Sequence, residues 1–390
     1  MYEEVRRELF DRSDLSALSD EELNRLIDRI YVRQNKDRYI TLDERSEVVG
    51  KIFSSLRGLG ILDELLADDS ISEIMINSFD DIYVEKNGEP EKSTVHFENE
   101  QDLEDIIQRI VAGSGREVNQ ASPIVDTRLK SGERVNVVLP PVAIESPVMT
   151  IRRFPKDRIT MEKLIELGSI TEEAAAFLKR MVEDRYNIFI SGGTSSGKTT
   201  FLNALSDYIP KDERIITIED SAELQITGIS NLIRMETRNS NTTGSGEITI
   251  QDLIRTSLRM RPERIIVGEV RGAEALDMLN AMNTGHDGSI STGHANSSVD
   301  MLRRLETMVM QGSSGLPLQA VSHNIASSID LLVHLGRVSA RRRTVMEISE
   351  IAGIENGEII LNPLFELQNG VLTKTGSRLK NTEKMELYET

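Results

Sequence analysis

The chain has 390 residues, with 46 Lys+Arg against 64 Asp+Glu, a net charge of -18, and neither Cys nor Trp. That length suits two or three domains, and the acidic balance argues against a whole-protein grip on nucleic acid, so no strong nucleic-acid binding is expected. Zero cysteine removes disulfides and thiolate metal sites. No apolar run reaches the ~18 residues of a membrane span, and the opening "MYEEVRRELF" lacks the apolar core of a signal peptide. A soluble cytoplasmic chain is the expectation.

Residues 1–57 read as small helices. Ser19 with Glu22 and Thr41 with Glu44 fit capping boxes, and Leu23, Leu26, Ile27 and Ile30 repeat at helical spacing. Residues 58–155 change to a mixed pattern. Strand-like runs within 81–97 flank Asn87-Gly88, a hairpin signal; 104–115 reads as a helix ending at glycine; 134–141 and 147–154 read as strands. This predicts a small α/β domain, followed by a linker over 156–170. From 171 to 390 apolar strands alternate with helices, the strands falling at 187–191, 214–220, 231–235, 264–270, 288–292 and 330–335. Continuous Ile/Val/Leu runs mark buried parallel strands, so a mostly parallel sheet flanked by helices is expected. Residues 345–367 read as strands joined through Asn356-Gly357, and 237–247 as a long loop.

The segment "SGGTSSGKTT" (191–200) lies between a strand and a helix. Gly192 and Gly197 permit backbone angles that a Cβ forbids, so the N–H groups from Gly193, Thr194, Ser195 and Ser196 onward can turn toward phosphate oxygens. Lys198 supplies a charge for the β- and γ-phosphates, Thr199 a hydroxyl for Mg²⁺, and Thr200 continues into the helix, whose N-terminus favours anions. Without ligand, the Lys198 head is expected to face solvent. ATP and Mg²⁺ are the implied cofactors.

Phosphoryl transfer to water also needs a group to orient the nucleophile and charges to stabilise the transition state. Glu269, after the strand "RIIV", suits the first role. Glu219, Asp220 and Glu223 form an acidic cluster after another strand. Thr199, Glu219, Asp220 and Glu269 are thus the candidate metal-side residues. His294, at a strand end following His286, can contact the γ-phosphate. The plainer reading makes such acids solvated turn residues and such histidines packing groups. Arg134, Arg152, Arg153, Arg255, Arg259 and Arg261 lie near strand ends or helix faces; most surface arginines form ordinary ion pairs, but a guanidinium delivered from another domain can neutralise a transition state.

Four boxes then stand in one order: "GGTSSGKTT", "TIEDSAEL", "RIIVGEVRG" preceded by "SLRMRPE", and "GHDGSISTGHANS". In that order, residues 60–365 resemble the secretion ATPase superfamily of type II and type IV secretion and type IV pili, with "SGERVNVVLPP" and "TIRRF" pointing toward the CpaF-type ATPases of tight-adherence pili. The resemblance implies a RecA-like P-loop ATPase domain behind a PAS-like N-terminal domain, and a homo-hexamer at the inner face of the cytoplasmic membrane on platform proteins. By motif it assigns catalytic arginines to Arg134, Arg152 and Arg153. The four-cysteine zinc element of the type II branch is absent, and residues 1–57 lie outside the shared boxes. Two other readings remain at this point: a conjugation-type ATPase moving DNA or protein, and a nucleotide-gated scaffold with little turnover.

Overall fold

The computed structural model describes residues 5, 8, 9, 15, 18–36, 38–86, 88–153, 158–238, 246–313, 315–338 and 342–387. The chain divides into two compact units, Met1–Lys156 and Asp157–Thr390.

The first unit holds two hydrophobic clusters. Helices α1 (Asp20–Gln34) and α2 (Leu42–Arg57) pack around Leu23, Ile27, Ile30, Tyr31 and Ile52. Ser19 and Glu22 form the full reciprocal box at the start of α1. At α2 only half of the expected box is present: Thr41 Oγ1 accepts from Glu44 N, while the Glu44 carboxylate is drawn to Arg38. An ion pair has outcompeted the return bond.

Beyond α3 (Ile61–Ala67) comes an antiparallel six-stranded sheet. Its strands are β1 (Ile71–Ile76), β2 (Ile82–Lys86), β3 (Glu89–Lys92), β4 (Ile124–Arg128), β5 (Arg134–Val138) and β6 (Val148–Arg152), in the order β3-β2-β1-β6-β5-β4. The return of the last strand to the side of the first gives the PAS-like sheet. Helix α4 (Glu100–Gly113) lays Leu103, Ile106, Ile107 and Ile110 on the face carrying Ile74, Val84, Val135 and Ile151. The β2–β3 hairpin forms as expected, with Gly88 at φ +81°; Asn87 itself lies outside the described residues.

The second unit is built on one nine-stranded sheet. Its strands are β7 (Ile188–Gly192), β8 (Arg214–Glu219), β9 (Asn231–Glu236), β10 (Arg264–Val267), β11 (Ile290–His294), β12 (Leu331–Arg337), β13 (Arg343–Glu355), β14 (Glu358–Gln368) and β15 (Val371–Lys374), in the order β15-β14-β13-β12-β7-β11-β10-β8-β9. The six strands from β12 to β9 are parallel neighbours, and β13–β15 extend the sheet antiparallel. All five β7 residues are buried, as a strand with covered faces on both sides requires. Asn356 and Gly357, both at positive φ, turn β13 into β14, a pairing that suits a tight hairpin.

Helices α5 (Met161–Glu166), α6 (Glu172–Glu183) and α7 (Lys198–Ser206) share one hydrophobic cluster with β7. Helices α8 (Ile250–Ser257), α9 (Glu274–Met282), α10 (Ser298–Gly312) and α11 (Leu318–Ser328) contribute to the other. A short α12 (Glu383–Leu387) follows the last strand. Within the segment expected as a linker, 156–170, helix α5 forms, and Met161, Leu164 and Ile170 are buried in the core of the second unit. Residues 239–245 of the expected loop lie outside the described residues, and its flanks pair through Arg238 and Ile248. No described helix is long and apolar enough to cross a membrane.

Candidate functional site

The carboxyl ends of β7, β11, β10 and β8 carry the candidate residues. In an open parallel sheet this is where loops leave the strands and ligands bind. The glycine loop follows β7 and runs into α7. Ser195 sits at φ +57° and Gly197 at φ +92°, a succession of left-handed residues that turns main-chain N–H groups inward. A Cβ on Gly192 would lie 2.5 Å from Leu335 O and from Ser196 Oγ, so only glycine fits there. Ser196 Oγ is buried without a hydrogen-bond partner. A buried hydroxyl left this way is costly, so it is open to an incoming polar atom.

Lys198 corrects the expectation of a solvent-facing head. It is 7 % exposed, and its Nζ donates to Gly192 O (3.2 Å), Gly193 O (3.1 Å) and His294 Nδ1 (3.1 Å). A buried ammonium needs acceptors, and in the absence of phosphate the loop's own carbonyls and the histidine supply them. Burial lowers its pKa, and Glu269 acts in the opposite sense.

His294 ends β11 directly opposite Gly192 of β7. Its Nδ1 accepts from Lys198, which leaves the proton on Nε2, 2.9 Å from Glu269 Oε1. This tautomer is assigned from the bonding pattern. That contact is close without the direction of a hydrogen bond, and Glu269 Oε1 has no hydrogen-bond partner. Burial lowers the His294 pKa, favouring the neutral ring. Glu269 lies two residues past β10, and its other oxygen is 3.1 Å from Arg271 Nη2. The three strand ends thus form one chain, Lys198–His294–Glu269–Arg271.

Glu219, the last residue of β8, is 3 % exposed. Its Oε2 accepts from the main-chain N–H groups of Glu223 (2.5 Å) and Leu224 (2.7 Å), while Oε1 is unpartnered. Burial pushes its pKa up to about 7 despite those two bonds. Asp220 turns outward, with Oδ1 accepting from Thr237 Oγ1 at 2.9 Å and Oδ2 lying 3.7 Å from Arg271. Glu223 contributes its main-chain N–H to Glu219.

Thr194, Thr199 and Thr200 are in the loop and first turn of α7 as expected. Among the described residues no three His, Asp or Glu side chains converge as a metal cage. Thr199 and the unpartnered oxygens of Glu219 and Glu269 are the oxygen donors these residues offer a hard cation.

The arginines of the smaller unit divide. Arg134 and Arg152 are register partners on β5 and β6, and Arg128 of β4 opposes Arg134 on the other side. Like charges directly opposite one another repel, and Glu73 of β1, the register partner of Arg152 on its other side, offsets part of that repulsion. Arg128 was missed in the sequence because its position opposite Arg134 depends on the hairpin register. Arg153 differs: its guanidinium donates to Asp68 O and Ile71 O and pairs with Asp69, holding its own unit together. In the larger unit, Arg255 pairs with Asp277, and Arg261 occupies a turn at φ +58°. His286 caps its neighbourhood through Nδ1 and Ala281 O at 3.2 Å.

A parallel sheet with a glycine loop leading from its central strand into a helix, and acids and a histidine on the neighbouring strand ends, defines a RecA-like nucleoside-triphosphatase fold. The profile of the family described as type II/IV secretion system protein matches residues 55–358, and the chain belongs to that family. It is 33 % identical over 295 residues to the conjugal transfer protein TrbB of Rhizobium radiobacter, covering 75 % of this chain and 87 % of the relative. It is 34 % identical over 256 residues to the type IV secretion system protein PtlH of Bordetella pertussis, covering 59 % and 76 %. Among solved structures, the pilus retraction motor PilT with bound ADP superposes with a TM-score of 0.54 at 19 % identity, covering 85 % of this chain and 86 % of that one. The Legionella pneumophila ATPase DotB gives 0.53 at 23 %, covering 73 % and 79 %. These two support the fold.

Proposed function

We propose that the chain hydrolyses ATP, taken with Mg²⁺, and that hydrolysis drives a secretion or pilus machine at the cytoplasmic face of a membrane. The observation that carries this reading is the Lys198–His294–Glu269 chain at the mouth of the glycine loop. Incoming phosphates compete with Gly192 O, Gly193 O and His294 for Lys198. When Lys198 swings to them, His294 loses a donor and Glu269 loses a neighbouring charge. Glu269 is then positioned to orient the attacking water, and His294, as a neutral ring, to hydrogen-bond the γ-phosphate. Mg²⁺, when bound, offsets charge on the phosphates. Arg134 and Arg152 are the arginines that closure of the smaller unit would bring to the transferred group; the bonds of Arg153 within its own unit suit a supporting role.

The assembly is proposed as a homo-hexamer on inner-membrane platform proteins, with the tight-adherence pilus as the machine. The names of the relatives favour a second reading, a conjugation-type ATPase that moves DNA or protein. A pull-down of the full chain from its native cell separates them: pilus platform proteins support the first, and coupling or relaxase proteins the second. The ATPase reading is tested with Lys198→Ala. Phosphate release should vanish while circular dichroism stays that of the wild type; retained turnover in the folded variant would overturn it.

A further inference from the structure

Ser191 is a buried hydroxyl in a strand whose preceding residues, Ile188, Phe189 and Ile190, are wholly apolar. It lies between Gly293 of β11 and His334 of β12 in the parallel register. A buried hydroxyl needs a partner, and His334 Nδ1 is 2.8 Å away. The ring of His334 is itself 8 % exposed. The main chain of Asn296 acts on the same ring as an acceptor. A neutral imidazole has one donor and one acceptor, so with Nδ1 turned to Ser191 the other ring nitrogen is the one that can face that carbonyl.

The two segments joined in this way each hold Lys198. Ser191 precedes Gly192, whose carbonyl accepts from Lys198 Nζ; Asn296 follows His294, whose Nδ1 accepts from the same ammonium. The surrounding chain is shaped to the same contact. The β12–β13 register slips between His334 and Leu335, and the Leu335 carbonyl occupies the space that a side chain on Gly192 would need. Such irregularities recur beside functional sites, where they re-aim a side chain. No recognised motif includes His334, which lies well downstream of the histidine box.

We propose that His334 is a positioning residue for turnover: it ties the strand leading into the glycine loop to the segment that carries His294, so that the loop lysine and the γ-phosphate-facing histidine keep one alignment. The inference rests on the ATP-hydrolysing reading of this site and deepens it. Because His334 lies behind the loop, the tie acts on alignment of the reacting groups and leaves the adenosine diphosphate portion of the nucleotide untouched.

The test compares wild type, His334→Leu, His334→Asn, Ser191→Ala and the Ser191→Ala, His334→Leu pair at matched oligomeric state. His334→Leu should lower kcat about tenfold, the scale at which small misalignments are felt, with ADP affinity within about twofold of wild type. Ser191→Ala, a minimal change that keeps the fold, should show the same split, and the pair should lose no more than the larger single loss, since one tie is cut twice. His334→Asn retains an acceptor near the Nδ1 position and should recover part of kcat. Normal kcat in the folded variants, fully additive losses, or an equal loss of ADP affinity would each overturn the proposal. Absence of hydrolysis by the wild type would instead overturn the ATPase reading. The tie is then still read by the ATP-to-ADP affinity ratio, which should fall in His334→Leu; an unchanged ratio contradicts it.

Discussion

The two ends of the nine-stranded sheet are made from the same strands and treat buried polar groups in opposite ways. At the amino ends, Arg264 is completely buried, pairs through both Nε and Nη2 with Glu213, and donates its Nη1 to Val182 O at 2.7 Å. Asn187 donates to Met282 O, Ser328 O and Asp330, and accepts from Ser289 N. Lys384 of the terminal helix closes the network on Asp287 (2.6 Å) and Asp330 (2.7 Å). No side-chain atom of Arg264, Glu213, Asn187, Asp330 or Lys384 is among the buried atoms without a partner. At the carboxyl ends, Ser196 Oγ, Glu219 Oε1 and Glu269 Oε1 are all unpartnered. That network satisfies its own members and stabilises the sheet. The carboxyl end leaves three buried oxygens open, and the proposed chemistry lies there.

The comparison can be broken most forcefully at the amino end. Arg264→Met leaves Glu213 buried with only Arg185 nearby, 3.2 Å away, and should lower stability by about 3–5 kcal/mol, the scale for breaking a buried pair by removing one partner. Urea denaturation reads this directly; a loss below about 1 kcal/mol would mean the network is dispensable.

At the carboxyl end the sign reverses. The Glu219 pKa is raised from 4.5 to about 7, so the folded chain binds a proton that the unfolded chain releases. The Glu219 contribution to stability therefore falls as pH rises from 4.5 to about 7 and is level above. Glu219→Gln removes that dependence. Without nucleotide, it should be more stable than wild type by about 3 kcal/mol above pH 7 and by much less near pH 5. Thermal melts across that range check it, and a variant destabilised at both pH values would refute the sign.

The smallest effect should come from Lys384→Met. It removes the cation between Asp287 and Asp330 while leaving the Asn187 N–H bond to Asp330, for a loss of about 1–2 kcal/mol. Because Lys384 is in the terminal helix, limited proteolysis should cut the C-terminal segment faster. Unchanged cleavage would separate this ion cluster from the docking of the tail.

Those two ends also differ in how far they could be read in advance. The glycine loop, Glu219 and Glu269 were visible because each comes at the close of an apolar run, and His294 because it ends the strand that His286 precedes; a strand end beside a phosphate loop constrains chemistry locally. The parallel core was visible through its apolar residues: Ile215, Ile216 and Ile218 flank a single Thr217, and Ile265, Ile266 and Val267 are consecutive. Partners distant in sequence were not visible. Glu213 meets Arg264, Asn187 meets Asp330, and Ser191 meets His334 only after the strand order is set. The buried head of Lys198 was missed because its acceptors are main-chain carbonyls, which sequence does not display. Strands β13 and β14 were legible as a hairpin, β15 was not read, and the union of all three with the parallel sheet depends on β12.

The central claim is that the carboxyl end of this sheet is arranged to turn over ATP, with Glu269 orienting the water. The most direct measurement is single-turnover phosphate release by Glu269→Gln beside wild type, with ATP affinity measured on the same samples. Gln keeps the shape and removes the charge, so binding should persist while the hydrolytic rate falls about a hundredfold or more. Wild-type rates at equal occupancy, or a collapse of ATP affinity with normal turnover per bound nucleotide, would contradict the account.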